Sequence, residues 1–252
     1  MQPSLGPIYC ETPSLFTGFP AEPVNTWSNL IIIAFGVASF IMIRRHIARL
    51  AHEDEAMQHS DDISAQKRNK ESSAYALYAL ALLLLMTGFG SFLWHGLRET
   101  WALALDTLPG VLTFLSFTYL WSRKAFSRRT AIDLIALLFI VPLAAFLWFD
   151  FSLSWSIGFT ILMIVIPAFI LIVKTMRIER NAGVLSAIMI GTALTAATAR
   201  FSDIALCDAL PLGTHFVWHI LLSGAAFLGI IVLIRLNNQP LPLSTVQKSV
   251  IR

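Results

Sequence analysis

The stretch Tyr75–His95 reads YALYALALLLLMTGFGSFLWH and contains no Asp, Glu, Lys or Arg. As an α-helix it is about 30 Å long, which matches the hydrocarbon thickness of a bilayer. Six further apolar stretches of similar length occur along the chain: about Thr26–Ile43, Trp101–Trp121, Ala131–Phe149, Trp155–Val173, Ala182–Thr198 and His215–Ile234. We therefore predict an all-α membrane protein, a seven-transmembrane-helix bundle that forms a single domain over residues 1–252.

The composition favours this prediction. The chain is 56% hydrophobic and 13% charged, whereas soluble domains contain about 25% charged residues. A large soluble helical protein is the alternative, but seven stretches of bilayer length rarely occur together by chance. No basic cluster is interleaved with aromatic residues, so nucleic acid is not an expected partner. The N-terminus lacks a basic start followed by an apolar run, so we expect no cleaved signal peptide.

Basic residues define the sidedness of the predicted bundle. Sixteen of the 18 Lys and Arg residues lie in alternate connections and in the C-terminal tail, which marks those segments as cytoplasmic. This topology predicts an outside N-terminal segment over residues 1–25, a cytoplasmic loop over 44–73 and a cytoplasmic tail over 236–252. The two exceptions, Arg98 and Arg200, fall outside, where Arg200 could pair with Asp203. The membrane is either a bacterial inner membrane or a eukaryotic endomembrane or plasma membrane.

Ionisable side chains inside a bilayer are costly, so each is a candidate for function. The predicted topology places four at similar depth in the outer half of the bilayer: His95, Asp106, His215 and His219. His215 and His219 are spaced i and i+4, so they share one helix face and can chelate one metal ion. Three histidines and a water form a known catalytic zinc set, and we predict zinc bound by His95, His215 and His219. The alternative is that these histidines cap helix ends or face headgroups.

Two neighbouring side chains suit hydrolysis. Zinc lowers the pKa of a bound water to about 7. Asp106 could accept the proton of that water as a general base, and Ser91, one turn before His95, could donate a hydrogen bond to the oxyanion. Asp106 could instead orient a ligand histidine, and the sequence leaves both roles open.

Four motifs together resemble a known family. They are Glu22-Pro-Val-Asn25-Thr26-Trp-Ser28-Asn29, Gly90-Ser91-Phe-Leu-Trp-His95, Asp106-Thr-Leu-Pro109 and Gly213-Thr-His215-Phe-Val-Trp218-His219. In this order they resemble the alkaline ceramidases, which belong to a superfamily of seven-helix membrane hydrolases that includes the adiponectin-receptor-like proteins. The match runs from about Tyr9 to Ser223. The resemblance implies zinc on the three histidines, Ser91 and Asp106 beside the activated water, and hydrolysis of ceramide to a sphingoid base and a fatty acid.

The resemblance also implies a calcium site before the first helix. Four residues fall near its ligand positions: Tyr9, Glu11, Glu22 and Asn25. Ile8 and Pro13 depart from the pattern, because they stand where an acidic and an amide ligand are expected. Calcium takes six to eight oxygens, so two carboxylates would need carbonyls and waters to complete the site. The alternative is that Glu11 and Glu22 only cap or pair locally.

Cys10 and Cys207 are similar to a disulfide pair of the family. Both lie on the predicted outer side, where disulfides persist. A bond would tie the N-terminal segment to the mouth of the site. Two free thiols are the alternative.

Two other functions compete with hydrolysis. One is a receptor or signalling protein of the same superfamily with a structural zinc, which would need neither an open coordination position nor a base such as Asp106. The other is a transporter or a retinal pump, but the seventh predicted span contains no lysine for a Schiff base and no broken-helix repeat is visible. We therefore predict a zinc-dependent amidase, a hydrolase of linear amide bonds, whose partner is a ceramide-like membrane lipid.

Overall fold

The computed structural model describes residues 6–12, 18–56, 63–148 and 153–238 of the chain. Within these ranges it contains seven α-helices, one short 3-10 helix and no β-strand. The α-helices are α1 (Pro23–Ala56), α2 (Ile63–Leu97), α3 (Thr100–Ala125), α4 (Arg128–Trp148), α5 (Leu153–Ile178), α6 (Arg180–Ser202) and α7 (His215–Asn237). The 3-10 helix, Ile204–Leu206, lies between α6 and α7. The prediction of an all-α fold is confirmed.

Helix length and composition agree with a membrane location. In the described part of the chain, five stretches are long and apolar enough to span a bilayer: Pro23–His52, Ser72–Leu97, Thr100–Ala125, Arg180–Ser202 and His215–Asn237. The fourth and fifth predicted spans fall on α4 and α5, which have 21 and 26 residues. Phe149, Pro13 and the predicted tail beyond residue 238 lie outside the described residues. Which end of the bundle faces outward stays a prediction.

The polar connection between the first two spans differs from the predicted loop over 44–73. α1 continues to Ala56 and α2 begins at Ile63, so most of this connection is helical. The segment is rich in Arg, Glu, Lys, Gln and Ala, which are strong helix formers. A helix that leaves the bilayer can therefore continue into water, and its polar composition marks the end of the membrane span rather than the end of the helix.

The bundle has an apolar end and a polar end. α2 packs against α1 and α3, and α7 packs against α1, α6 and α2. At one end these helices bury apolar side chains such as Ile43 of α1 and Leu233 of α7. At the other end the same helices bury polar groups, including His95 of α2 and His219 of α7. Polar groups inside a bilayer must find partners within the protein, so this end needs a connected polar network.

The contact between α2 and α3 depends on a glycine at the polar end. A Cβ atom added at Gly90 would lie 2.0 Å from the carbonyl oxygen of Leu105 and 2.7 Å from the nitrogen of Asp106. Small residues allow membrane helices to approach this closely. Because Ser91 follows Gly90, this approach places Ser91 beside Asp106.

We predict that Gly90→Ala destabilises the protein, because the added methyl group meets backbone atoms that cannot rotate away. The loss should reach at least the roughly 1–3 kcal/mol typical of overpacking. The measurement is the thermal midpoint of the purified protein in detergent. Gly191→Ala is the matched control, since Gly191 lies in α6 and a Cβ atom there would meet nothing within 4 Å. Equal midpoints for the two variants would contradict the role of Gly90.

Candidate metal centre

Three histidines from two helices converge at the polar end. His95 lies in the last turn of α2, and His215 and His219 lie in the first turns of α7. None is more than 3% exposed. One ring nitrogen from each lies within 4.8 Å of the others, and the Nε2 atoms of His95 and His215 are 3.3 Å apart. The three side chains could therefore hold one metal ion.

Hydrogen bonds behind the rings fix which nitrogens are available. The Nδ1 of His95 lies 2.5 Å from Oε2 of Glu22, a carboxylate oxygen that accepts a hydrogen bond from Nδ1–H. The Nδ1 of His219 lies 2.7 Å from the Ser28 hydroxyl, which already donates to the carbonyl oxygen of Asn25. A hydroxyl has one proton to donate, so Ser28 accepts from Nδ1–H of His219. Both histidines consequently keep a bare Nε2 lone pair for a metal.

The donor set fits a metal ion that prefers nitrogen ligands. His215 brings its Nε2 close to the bare Nε2 of His95, so one cation can accept both lone pairs. The Nδ1 of His215 is buried and has no hydrogen-bond partner among the described residues. Imidazole nitrogens held from behind by a carboxylate or a hydroxyl are the usual ligands of zinc.

Glu22 connects the N-terminal segment to the end of α2. Its Oε1 accepts a hydrogen bond of 2.7 Å from the Thr12 hydroxyl and lies 3.3 Å from Nη1 of Arg98. Its backbone N–H donates to the carbonyl oxygen of His95 at 3.0 Å. Burial raises the pKa of the Glu22 carboxyl, and the charge of Arg98 and the hydrogen bond from Thr12 oppose that rise. Both carboxylate oxygens therefore have partners within the protein.

Glu11 has a local role at the start of α1. Its carboxylate accepts hydrogen bonds from the backbone N–H groups of Val24 at 3.0 Å and Asn25 at 2.8 Å. A carboxylate in this position satisfies N–H groups that the helix leaves unpaired and complements the helix dipole. Burial raises the pKa of Glu11, and these two hydrogen bonds oppose the rise.

Three of the four predicted calcium ligands make other contacts, whereas the amide group of the buried Asn25 side chain has no hydrogen-bond partner among the described residues. Glu11 caps α1, Glu22 holds His95, and the ring of Tyr9 stacks on His215 with a centroid distance of 4.0 Å. Glu11 and Glu22 therefore do cap and pair locally. Calcium binding stays a prediction, and these contacts do not require it.

Ser91 and Asp106 form a pair close to the end of α2. Ser91 is one helical turn before His95 in α2, and its hydroxyl lies within hydrogen-bonding reach of the Asp106 carboxylate. Asp106 also acts electrostatically on Tyr9, which stacks on His215. The structure therefore pairs a hydroxyl with a carboxylate one helical turn from His95, and their role in catalysis stays a prediction.

Asp203 has a structural role that the sequence reasoning did not anticipate. It does not form the expected ion pair with Arg200, because its carboxylate accepts hydrogen bonds from backbone N–H groups. Oδ1 accepts from Thr214 at 2.7 Å and His215 at 2.9 Å, and Oδ2 accepts from Cys10 at 3.1 Å. The side chain is fully buried. Asp203 directly follows α6 and is 12 residues before His215, so its position in the sequence gave no signal that it caps α7.

A disulfide joins the N-terminal segment to the same region. Cys10 and Cys207 are bonded, with their Cα atoms 5.3 Å apart. Gly213 lies against this bond and has a positive φ of 64°. A Cβ atom there would lie 2.1 Å from Oδ1 of Asp203 and 2.8 Å from Sγ of Cys10. The N-terminal segment, the end of α6 and the start of α7 therefore meet around Asp203.

Comparison with known proteins identifies the family. A family model described as Ceramidase matches residues 8–241, a range that includes all the described helices up to the end of α7. A comparison with curated proteins finds no match. The chain belongs to the ceramidase family, and it is a hydrolase that acts on amide carbon–nitrogen bonds.

Proposed function

We propose that this protein is a zinc-dependent intramembrane amidase that hydrolyses ceramide or a related N-acyl lipid to a free amine and a fatty acid. The observation that carries the proposal is the group of three buried imidazoles within 4.8 Å of one another. Family membership supplies the amide bond as the target. The preference for zinc follows from a donor set of three imidazole nitrogens, which together with a water is a known catalytic zinc set.

The residues around the histidines suit each step of amide hydrolysis. When bound, zinc supplies a Lewis acid for the carbonyl group and makes water a better nucleophile at neutral pH. The Asp106 carboxylate accepts the proton of the attacking water and returns it to the leaving amine as the carbon–nitrogen bond breaks. The Ser91 hydroxyl, within reach of Asp106, donates to the oxygen that gains negative charge.

Glu22 and Ser28 prepare the site by holding two of the rings. Their hydrogen bonds to Nδ1 of His95 and His219 keep the Nε2 atoms directed away from the holding groups. Such bonds fix ring orientation and strengthen the ligand. The Ser91–Asp106 pair favours a catalytic site over a receptor with structural zinc, since a structural site needs no base. The charge asymmetry of the loops favours an outward-facing site, where a lipid amide lies just below the headgroups.

We predict that His215→Ala removes both the metal and the activity. Loss of one of three ligands leaves a pair that cannot complete the site, so metal content should fall from about one ion per chain to near zero. The measurements are elemental analysis of detergent-purified protein and hydrolysis of N-acyl sphingoid lipids. His52→Ala, on the exposed end of α1, is the matched control and should keep both. Full hydrolysis by His215→Ala would refute the proposal.

We predict that Asp106→Asn keeps the metal and loses turnover. An amide cannot accept the proton of the attacking water, and losing a general base lowers rates by about 10²–10⁴-fold. Metal content and kcat measured on the same preparation test this separation. Asp208→Asn, at an exposed position in the turn before α7, should change neither quantity. Normal turnover by Asp106→Asn would remove this residue from the mechanism.

We predict that Glu22→Gln weakens metal affinity by about 10–100-fold, the usual effect of losing the carboxylate behind a ligand histidine. Competition with a chelator of known affinity measures the change without any assay of activity. Glu99→Gln is the control, because Glu99 is exposed and its side chain makes no capping hydrogen bond to α3. The same metal affinity in both variants would show that Glu22 does not support His95.

A further inference from the structure

Arg200 contacts the ring of Tyr9, and that ring contacts His215 of the candidate metal centre. It belongs to the last turn of α6 and is partly buried. Its guanidinium carbon lies 4.7 Å from the centroid of the Tyr9 ring, and that ring stacks on His215 at 4.0 Å. The positive charge of Arg200 therefore lies beside the candidate metal centre.

Arg200 differs from the other arginine on this ring. The guanidinium of Arg98 also lies over Tyr9, at 5.5 Å, but it pairs with Glu22 at 3.3 Å and donates to the carbonyl oxygen of Pro7 at 2.7 Å. Within the described ranges Arg200 makes its contact with Tyr9 and no ion pair or hydrogen bond. The nearest carboxylate in sequence, Asp203, is occupied by backbone N–H groups. The guanidinium donors of Arg200 are thus available to a ligand.

The charge of Arg200 lies beside the candidate metal centre through its contact with the Tyr9 ring. Arg200 also acts electrostatically on Glu22 and lies within electrostatic range of Asp106. Hydrolysis of an amide by water breaks the carbon–nitrogen bond and turns a neutral group into a carboxylate and an ammonium ion. An anion therefore forms close to this cation in every turnover.

We propose that Arg200 binds an oxyanion of the lipid ligand, a carboxylate or a phosphate, at the mouth of the metal centre. A guanidinium matches such groups because its N–H donors form paired hydrogen bonds to two oxygens. The anion has two sources: the carboxylate of the released fatty acid, or an anionic headgroup on the amine side of the substrate. The choice of lipid rests on the proposed function, but binding of the anion does not require turnover.

The test compares Arg200→Gln and Arg200→Lys with wild type and with Arg129→Gln, an exposed arginine at the start of α4. The first arm measures binding of dodecanoate and of dodecanol, which share a chain and differ in charge. The second arm measures kcat/KM for two N-acyl sphingoid lipids with identical chains, one with a hydroxyl and one with a phosphate headgroup. If the wild type hydrolyses neither lipid, the Kd values of the same two lipids are compared instead.

Arg200→Gln should lower the preference for the charged ligand by about tenfold in one arm, as expected for the loss of a charge-assisted hydrogen bond. Arg200→Lys should keep part of that preference, and Arg129→Gln should keep all of it. If the preference for the charged ligand falls in the first arm, the anion that Arg200 binds is the fatty-acid carboxylate. If it falls only in the second arm, that anion is the headgroup phosphate. Unchanged preference in both arms overturns the proposal. Failure of hydrolysis alone counts against the proposed function and leaves the binding result in force.

Discussion

Three imidazole rings can share one ion only if a lone pair of each is directed at the same point. Lipid chains offer no hydrogen-bonding groups that could orient the rings in this way. The structure holds two of the rings from behind and fixes the backbone of the third. Glu22 accepts from Nδ1 of His95, Ser28 accepts from Nδ1 of His219, and Asp203 caps the backbone from which His215 projects. A buried polar group without a partner is costly, so each of these contacts is also a condition for folding.

The N-terminal segment is therefore part of the site rather than an extension of it. Thr12 donates a hydrogen bond to Glu22, and Glu11 accepts one from the backbone at the start of α1. The ring of Tyr9 stacks on the ring of His215. Gly90 plays the corresponding part on the other side, because it lets α3 approach α2 closely enough to bring Asp106 to Ser91. The apolar end of the bundle holds the helices together, while the polar end positions the three histidines.

The fold and the histidine group could be predicted from sequence because bilayer thickness fixes helix length and helical spacing fixes which side chains share a face. His215 and His219 needed only that argument. The partners of these groups could not be predicted in this way. An acidic residue before a helix, such as Glu22, can bind a cation, cap a helix or hold a histidine, and only the distances between atoms decide among them. Asp203 was matched to Arg200 by proximity in sequence, whereas the unpaired N–H groups at the start of α7 compete more effectively for its oxygens.

The order of the groups along the chain has a consequence for biogenesis. Cys10 and Cys207 are 197 residues apart, and two of the three histidines belong to α7. During synthesis His95 is made long before His215 and His219. The Asp203 carboxylate cannot accept hydrogen bonds from the start of α7 until that helix has been made. On the proposed function, a chain that ends after α6 would lack two of the three histidines and would hold no complete metal site.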